Sequence, residues 1–167
     1  GNSCYDSEGG AISVTGGGSH LTLTNVTFSD NHSGSGGGVS TWGGGCGNHT
    51  LTNVQFIGNS AYSGGGMESR GNAQAAIMSN VIFSENSANI GGGIYFYSSS
   101  MTLINTTFIG NTAFGDINNW YDFSNDGGAI TSWHSDYTLI NTILWDNFPN
   151  GISIDGGDIT ITYSDIQ

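Results

Sequence analysis

The stretch Leu21-Thr22-Leu23-Thr24-Asn25-Val26-Thr27-Phe28 alternates apolar and polar side chains on either side of one asparagine. Alternation with period two marks a strand that buries one face. It places Leu21, Leu23, Val26 and Phe28 inward, with Thr22, Thr24 and Thr27 outward. A polar turn through Ser29-Asp30-Asn31 leads to the step Gly36-Gly37-Gly38 and a second alternating run, Val39-Ser40-Thr41-Trp42. There Val39 and Thr41 fall inward and Ser40 and Trp42 outward. No window of about ten residues carries an apolar period of helical type.

The same unit recurs along the chain. Phe-x-x-Asn occupies residues 28–31, 56–59, 83–86 and 108–111, and Leu144-Trp145-Asp146-Asn147 is a degenerate copy. Its partner steps are Gly9-Gly10-Ala11-Ile12, Gly36-Gly37-Gly38-Val39, Gly64-Gly65-Gly66-Met67, Gly91-Gly92-Gly93-Ile94 and Gly127-Gly128-Ala129-Ile130. Asn31, Asn59, Asn86, Asn111 and Asn147 recur at intervals of 28, 27, 25 and 36 residues. Periods in this range mean stacked repeats, each burying its apolar face only against its neighbours. A second asparagine set, Asn25, Asn53, Asn80, Asn105 and Asn141, interrupts the alternation at one step of every unit. Asparagine at such a bend tolerates the left-handed conformation and can hydrogen-bond its copy in the next unit.

These features predict an all-β, single-stranded, right-handed parallel β-helix of about six coils, with two asparagine ladders and an internal stack of Phe28, Phe56, Phe83 and Phe108. Residues 1–167 read as one β-helix domain, either a segment or a stacking unit of a longer solenoid. Gly1-Asn2-Ser3 aligns with Gly58-Asn59-Ser60, and Ile166 aligns with Phe28, so both ends fall at one point of the repeat. Two expectations follow from that phase: a piece of a longer solenoid, or a subunit stacking head to tail on its copies. Residues 112–126 form a longer connection than its counterparts, by about ten residues, and are expected to loop out.

Phe-x-x-Asn paired with Gly-Gly-Ala-Ile resembles the repeats of the polymorphic outer-membrane proteins and of the wider group of secreted right-handed β-helix proteins. The resemblance implies export and a surface or adhesive role. Such coils also serve fibres and polysaccharide-processing proteins, so the motif specifies fold more than function.

Composition narrows the partners. The chain has 13 acidic residues, one arginine and no lysine, for a net charge of −12. Phosphate recognition needs cations, so nucleic acid and anionic lipid are poor partners. No apolar run is long enough to span a membrane, and no basic-then-apolar leader is present, so the sequence reads as mature or excised. The expected location is extracellular or on a cell surface. Cys4 and Cys46 allow one disulfide, but their places in the repeat put them on different corners.

The outward positions after each glycine step form a column: Thr15, Trp42, Arg70, Tyr97, Trp133 and Asp155. Beside it runs Ser13, Ser40, Glu68, Tyr95, Thr131 and Ser153. With rungs about 4.8 Å apart, the first column is an exposed ladder with Arg70 between aromatic rings, suited to sugar rings. Its competitor is an aromatic column that only steadies its own sheet. The expected contact residues are Trp42, Arg70, Tyr95, Tyr97, Trp133 and His134, together with Trp120 and Tyr121 of the long connection. They are expected to meet surface glycans or proteins of a host or neighbour; the other partner is the chain itself.

Catalysis has little support. Arg70 is the one candidate base, with Glu68 beside it, and Asp155-Gly156-Gly157-Asp158 reads first as a turn. His20, His32, His49 and His134 lack metal-ligand spacing. No catalytic residue, metal or cofactor is expected, and the expected protein is not an enzyme. A lesser alternative is ice binding by the outward Thr22, Thr24, Thr50, Thr52, Thr102, Thr138, Thr160 and Thr162, an array broken by Ile77, Ile104 and Ile140.

Overall fold

The computed structural model describes residues 1–43, 48–71, 76–115 and 126–167. Among them every regular element is a strand, and the strands assemble into three parallel sheets. The short sheet stacks Ser3–Glu8, His32–Ser35, Ser60–Ser63, Ser87–Ile90 and Thr112–Ala113. The middle sheet stacks Ile12–Thr15, Val39–Trp42, Met67–Arg70, Ile94–Tyr97, Gly127–Trp133 and Asn150–Asp155. The third, the bent sheet, begins with the long strands Thr22–Ser29 and Thr50–Ile57. Its later passes each split in two, such as Ser100–Ile104 with Thr107–Ile109. The chain visits short, middle and bent sheet in that order and then returns to lay the next rung. Parallel neighbours need long connections, and here the other two sheets supply them.

Register follows the repeat. Phe28 pairs with Phe56, Phe56 with Phe83, and Phe83 with Phe108. Their rings stack at 5.0, 4.7 and 4.7 Å between centroids, within 14° of parallel. That spacing is the rung separation of a sheet. Leu144 and Ile166 take the same position in later rungs. Around this stack lie Leu51, Met78, Leu103 and Leu139 of the bent sheet and Val39, Met67, Ile94 and Ile130 of the middle sheet, all fully buried.

Both asparagine sets form ladders. Asn25, Asn53, Asn80, Asn105 and Asn141 all have φ between 50° and 58°, and each later Nδ2 donates to the Oδ1 of the one before it at 3.1–3.2 Å. The inner set is buried, so its polar atoms must find partners within the protein. Asn59 Oδ1 accepts from the backbone N–H and from Nδ2 of Asn31, at 3.0 and 2.8 Å. Its Nδ2 donates to Phe28 O and to Asn86 Oδ1, both at 3.0 Å. All four hydrogen-bonding positions of that amide are used. Asn86 and Asn111 repeat the pattern up to Asn147, and Asn2 joins below Asn31.

The glycine steps turn the chain from short to middle sheet. Gly64 has φ +62°, which a residue with a side chain rarely adopts. A Cβ on Gly66 would lie 2.8 Å from both Gly93 O and the Phe83 ring. Glycine therefore allows a corner so tight that the outer surface there is concave.

Candidate functional site

The concave corner is where the sequence-predicted contact residues gather. Ser63 ends a strand of the short sheet, and Glu68 lies just past the glycine step in the middle sheet. Ser63 Oγ donates to Glu68 Oε1 at 2.6 Å across the corner. Glu68 heads a column in register with Ser40, Tyr95, Thr131 and Ser153. The column points away from the core, as alternation requires. It does not reach solvent freely: Glu68 is only 2% exposed and Tyr95 only 6%. Outward side chains at a re-entrant corner are covered by the opposite wall, so Tyr95 is a floor residue rather than an exposed contact.

The second column holds its register as well: Thr15, Trp42, Arg70, Tyr97, Trp133 and Asp155 pair in succession. Trp42 is 54% exposed and Tyr97 is 37% exposed, while Arg70 and Trp133 are half-buried. The expected stacked ladder needs correction. Arg70 is drawn back across its own strand: its Nε lies 2.6 Å from Glu68 Oε1, and Nη2 donates to Ser63 Oγ at 3.2 Å. Its guanidinium then sits over the Tyr95 ring, 5.3 Å from the centroid, and not between Trp42 and Tyr97. Residues i and i+2 of a strand share a face, so an opposite charge two residues away is a nearer partner than a ring one rung off. Tyr97 and Trp133 meet edge to face at 83° and 5.3 Å, a favoured aromatic geometry.

Burial is the main influence on the Glu68 carboxyl and raises its pKa, while Arg70 and the Ser63 and Ser35 hydroxyls pull it back down. Burial likewise pushes the Tyr95 phenol up to about 12, against the opposing pull of Arg70. The floor of the corner thus ties Ser63, Glu68, Arg70 and Tyr95 into one set of contacts.

Above it lies a groove of about 660 Å³. Trp42, Arg70, Tyr95, Tyr97 and Trp133 line it from the middle sheet, with Thr131, Ser153 and Asp155 beyond and Asp126 beside them. Tyr62 and Ile90 of the short sheet face them. Sequence reasoning missed these two, although both stand within two residues of a glycine step. Of the expected contact residues, His134 stays outside the groove. It is exposed, has φ 49°, and stacks on Trp133 at 5.7 Å. Trp120 and Tyr121 lie outside the described residues, as does Cys46; Cys4 is an exposed free thiol. Of the long connection, Thr112–Ala113 is a strand, and Asp126 rejoins the groove wall.

Elsewhere little chemistry assembles. Among the described residues no cluster of three His, Cys, Asp or Glu side chains could hold a metal. Asp158 takes part in a turn, its backbone N–H donating to Asp136 Oδ1 at 2.8 Å. His49 points into the core, where its Nδ1 accepts the Leu21 N–H at 3.1 Å.

Residues 80–97 and 105–132 match the family model of the Chlamydia polymorphic membrane protein repeat. Each matched segment holds one Phe-x-x-Asn motif and the glycine step that follows it. Neither a curated protein nor a solved structure matches the chain. The chain is therefore a parallel-sheet repeat protein like the polymorphic membrane proteins, and that likeness suggests a surface or outer-membrane protein.

Proposed function

We propose that this chain is an adhesive module displayed at a cell surface, and that it performs no catalysis. Its three sheets form one right-handed β-helix domain of about six coils, a rigid rod that presents side chains at fixed spacing. The observation that carries the reading is the groove. It concentrates Trp42, Tyr97 and Trp133 on a concave surface beside a fixed arginine, and concave sites with aromatic walls and few polar groups are where proteins hold ligands. The repeat match supports display at the surface. Beads coated with the chain should attach to cell monolayers, and soluble chain should compete. Absence of any attachment across several cell types would overturn the adhesive reading.

Axial stacking belongs to the same proposal as a structural role. Ile154, Ile161 and Ile166 are exposed on the last described rungs. A further rung, from this chain or from a copy, would cover them and extend the ladders. Stacking lengthens the rod and repeats the groove along it.

A further inference from the structure

We infer that the groove takes a neutral oligosaccharide lying along the stacking axis, and that Glu68 sets this preference by cancelling the charge of Arg70. The inference rests on the groove being the contact face. Trp42, Arg70, Tyr97, Trp133 and Asp155 stand on successive rungs, a length of roughly 19 Å at the usual rung spacing. A groove of this length suits a chain of sugar units rather than a single ring.

Charge decides which chain. Arg70 is the only Lys or Arg in the sequence, and its guanidinium is held by Glu68 and Ser63. The carboxylates of Asp126 and Asp155 also line the groove. A sulfated or uronate-rich chain would meet these carboxylates with no free cation to bind, whereas recognition of such anions depends on unpaired Arg and Lys. Tied down, Arg70 still offers its remaining N–H groups as positioned donors, and Ser153 brings a hydroxyl, while that of Thr131 is held by the Gly127 backbone. Sugar hydroxyls fit donors and acceptors of this kind, and the apolar faces of the rings fit the aromatic wall.

A peptide fits less well. Extended peptides are captured by adding a strand to a free sheet edge. Most of the groove wall is built from interior strands paired on both sides, as Ile94–Tyr97 is with Met67–Arg70 and with Gly127–Trp133, and only Asn150–Asp155 at its far end is an edge strand. A chain lying along the axis would cross these strands and find no backbone ladder to join.

The test is calorimetric titration of the full chain with neutral linear hexasaccharides (cello-, malto-, xylo- and chito-series), a heparin hexasaccharide and an oligolysine peptide. At least one neutral series should bind, with affinity unchanged between low and high salt, and heparin should not. Trp42→Ala should weaken that binding about tenfold, the worth of one aromatic contact. Glu68→Gln should free Arg70 and give a measurable heparin response where the wild type has none, in line with a charge-assisted contact. Heparin or oligolysine outcompeting every neutral chain on the wild type would overturn the inference, as would strong salt dependence. An unchanged heparin response in folded Glu68→Gln would overturn the role of Glu68; should that variant not fold, the salt dependence of the wild type decides. If no sugar binds while coated beads still attach to cells, the sugar assignment fails and the adhesive reading stands. If neither occurs, both fail.

Discussion

Phe83 and Phe108 lie one rung apart with their rings 4.7 Å between centroids and 3° from parallel. Both are fully buried, so the ring of each is a neighbour's packing surface. Phe83→Ala should remove that contact on two sides and leave a cavity in the middle of the stack. The expected loss is about 3–5 kcal/mol, read from urea denaturation. A loss below about 1 kcal/mol would mean that the stack is not closed around it.

The buried asparagines are predicted to matter as much as the phenylalanines. Asn86 Oδ1 accepts from the backbone N–H and Nδ2 of Asn59, and Asn86 Nδ2 donates to Phe56 O and Asn111 Oδ1. Asn86→Ala strands several of these groups without water, so the cost should reach roughly 3 kcal/mol or more. Asn86→Asp keeps the acceptors but brings a carboxylate against Phe56 O and Asn111 Oδ1. It should be at least as damaging at neutral pH and recover on acidification, when one donor returns. Equal stability of Asn86→Asp at both pH values would argue against the ladder.

Two buried groups should shape stability against pH in opposite directions. Burial, aided by His20, holds the His49 imidazole below its ordinary 6.5. The unfolded chain then binds the proton more readily, so stability is complete above pH 6.5 and falls as pH drops towards the folded value. His49→Gln should flatten that limb whatever its absolute stability. Burial raises Glu68 above its ordinary 4.5. Its contribution is complete below pH 4.5 and is lost as pH rises through the folded value, and Glu68→Gln should remove that decline. Melting temperatures of the three proteins across pH 4 to 8 check both signs. A His49→Gln profile parallel to the wild type would refute the first, and a Glu68→Gln profile parallel to it would refute the second.

Much of this architecture was legible in the sequence because it repeats. Phe28, Phe56, Phe83 and Phe108 announce the inner stack, and the two asparagine sets announce their ladders, because each copy must meet the next at the same rung position. The site was legible only by column. Alternation assigns Glu68 and Tyr95 to the outer side of their strands, and both are there. It carries no information on the angle at Gly64-Gly65-Gly66, and that angle is what buries them. The same angle brings Tyr62 and Ile90 opposite Trp42 and Tyr97. The fold-back of Arg70 is also legible, since Glu68 and Arg70 share one face of one short strand, and the partner along the strand outcompetes the aromatic rings one rung away.

Two outer faces of the stacked sheets compete for the proposed adhesive role, and comparing them tests the central claim most directly. Attachment of coated beads to cell monolayers should be measured for a groove variant, Trp42→Ala with Tyr97→Ala, and for a variant of the bent sheet, Thr102→Ala with Thr138→Ala. The substituted groove side chains are partly exposed and Thr102 and Thr138 lie on the outer face of their sheet, so all proteins should melt within a few degrees of one another. The groove variant should lose attachment and the bent-sheet variant should keep it. Full attachment by the groove variant, or loss confined to the bent-sheet variant, would contradict the account.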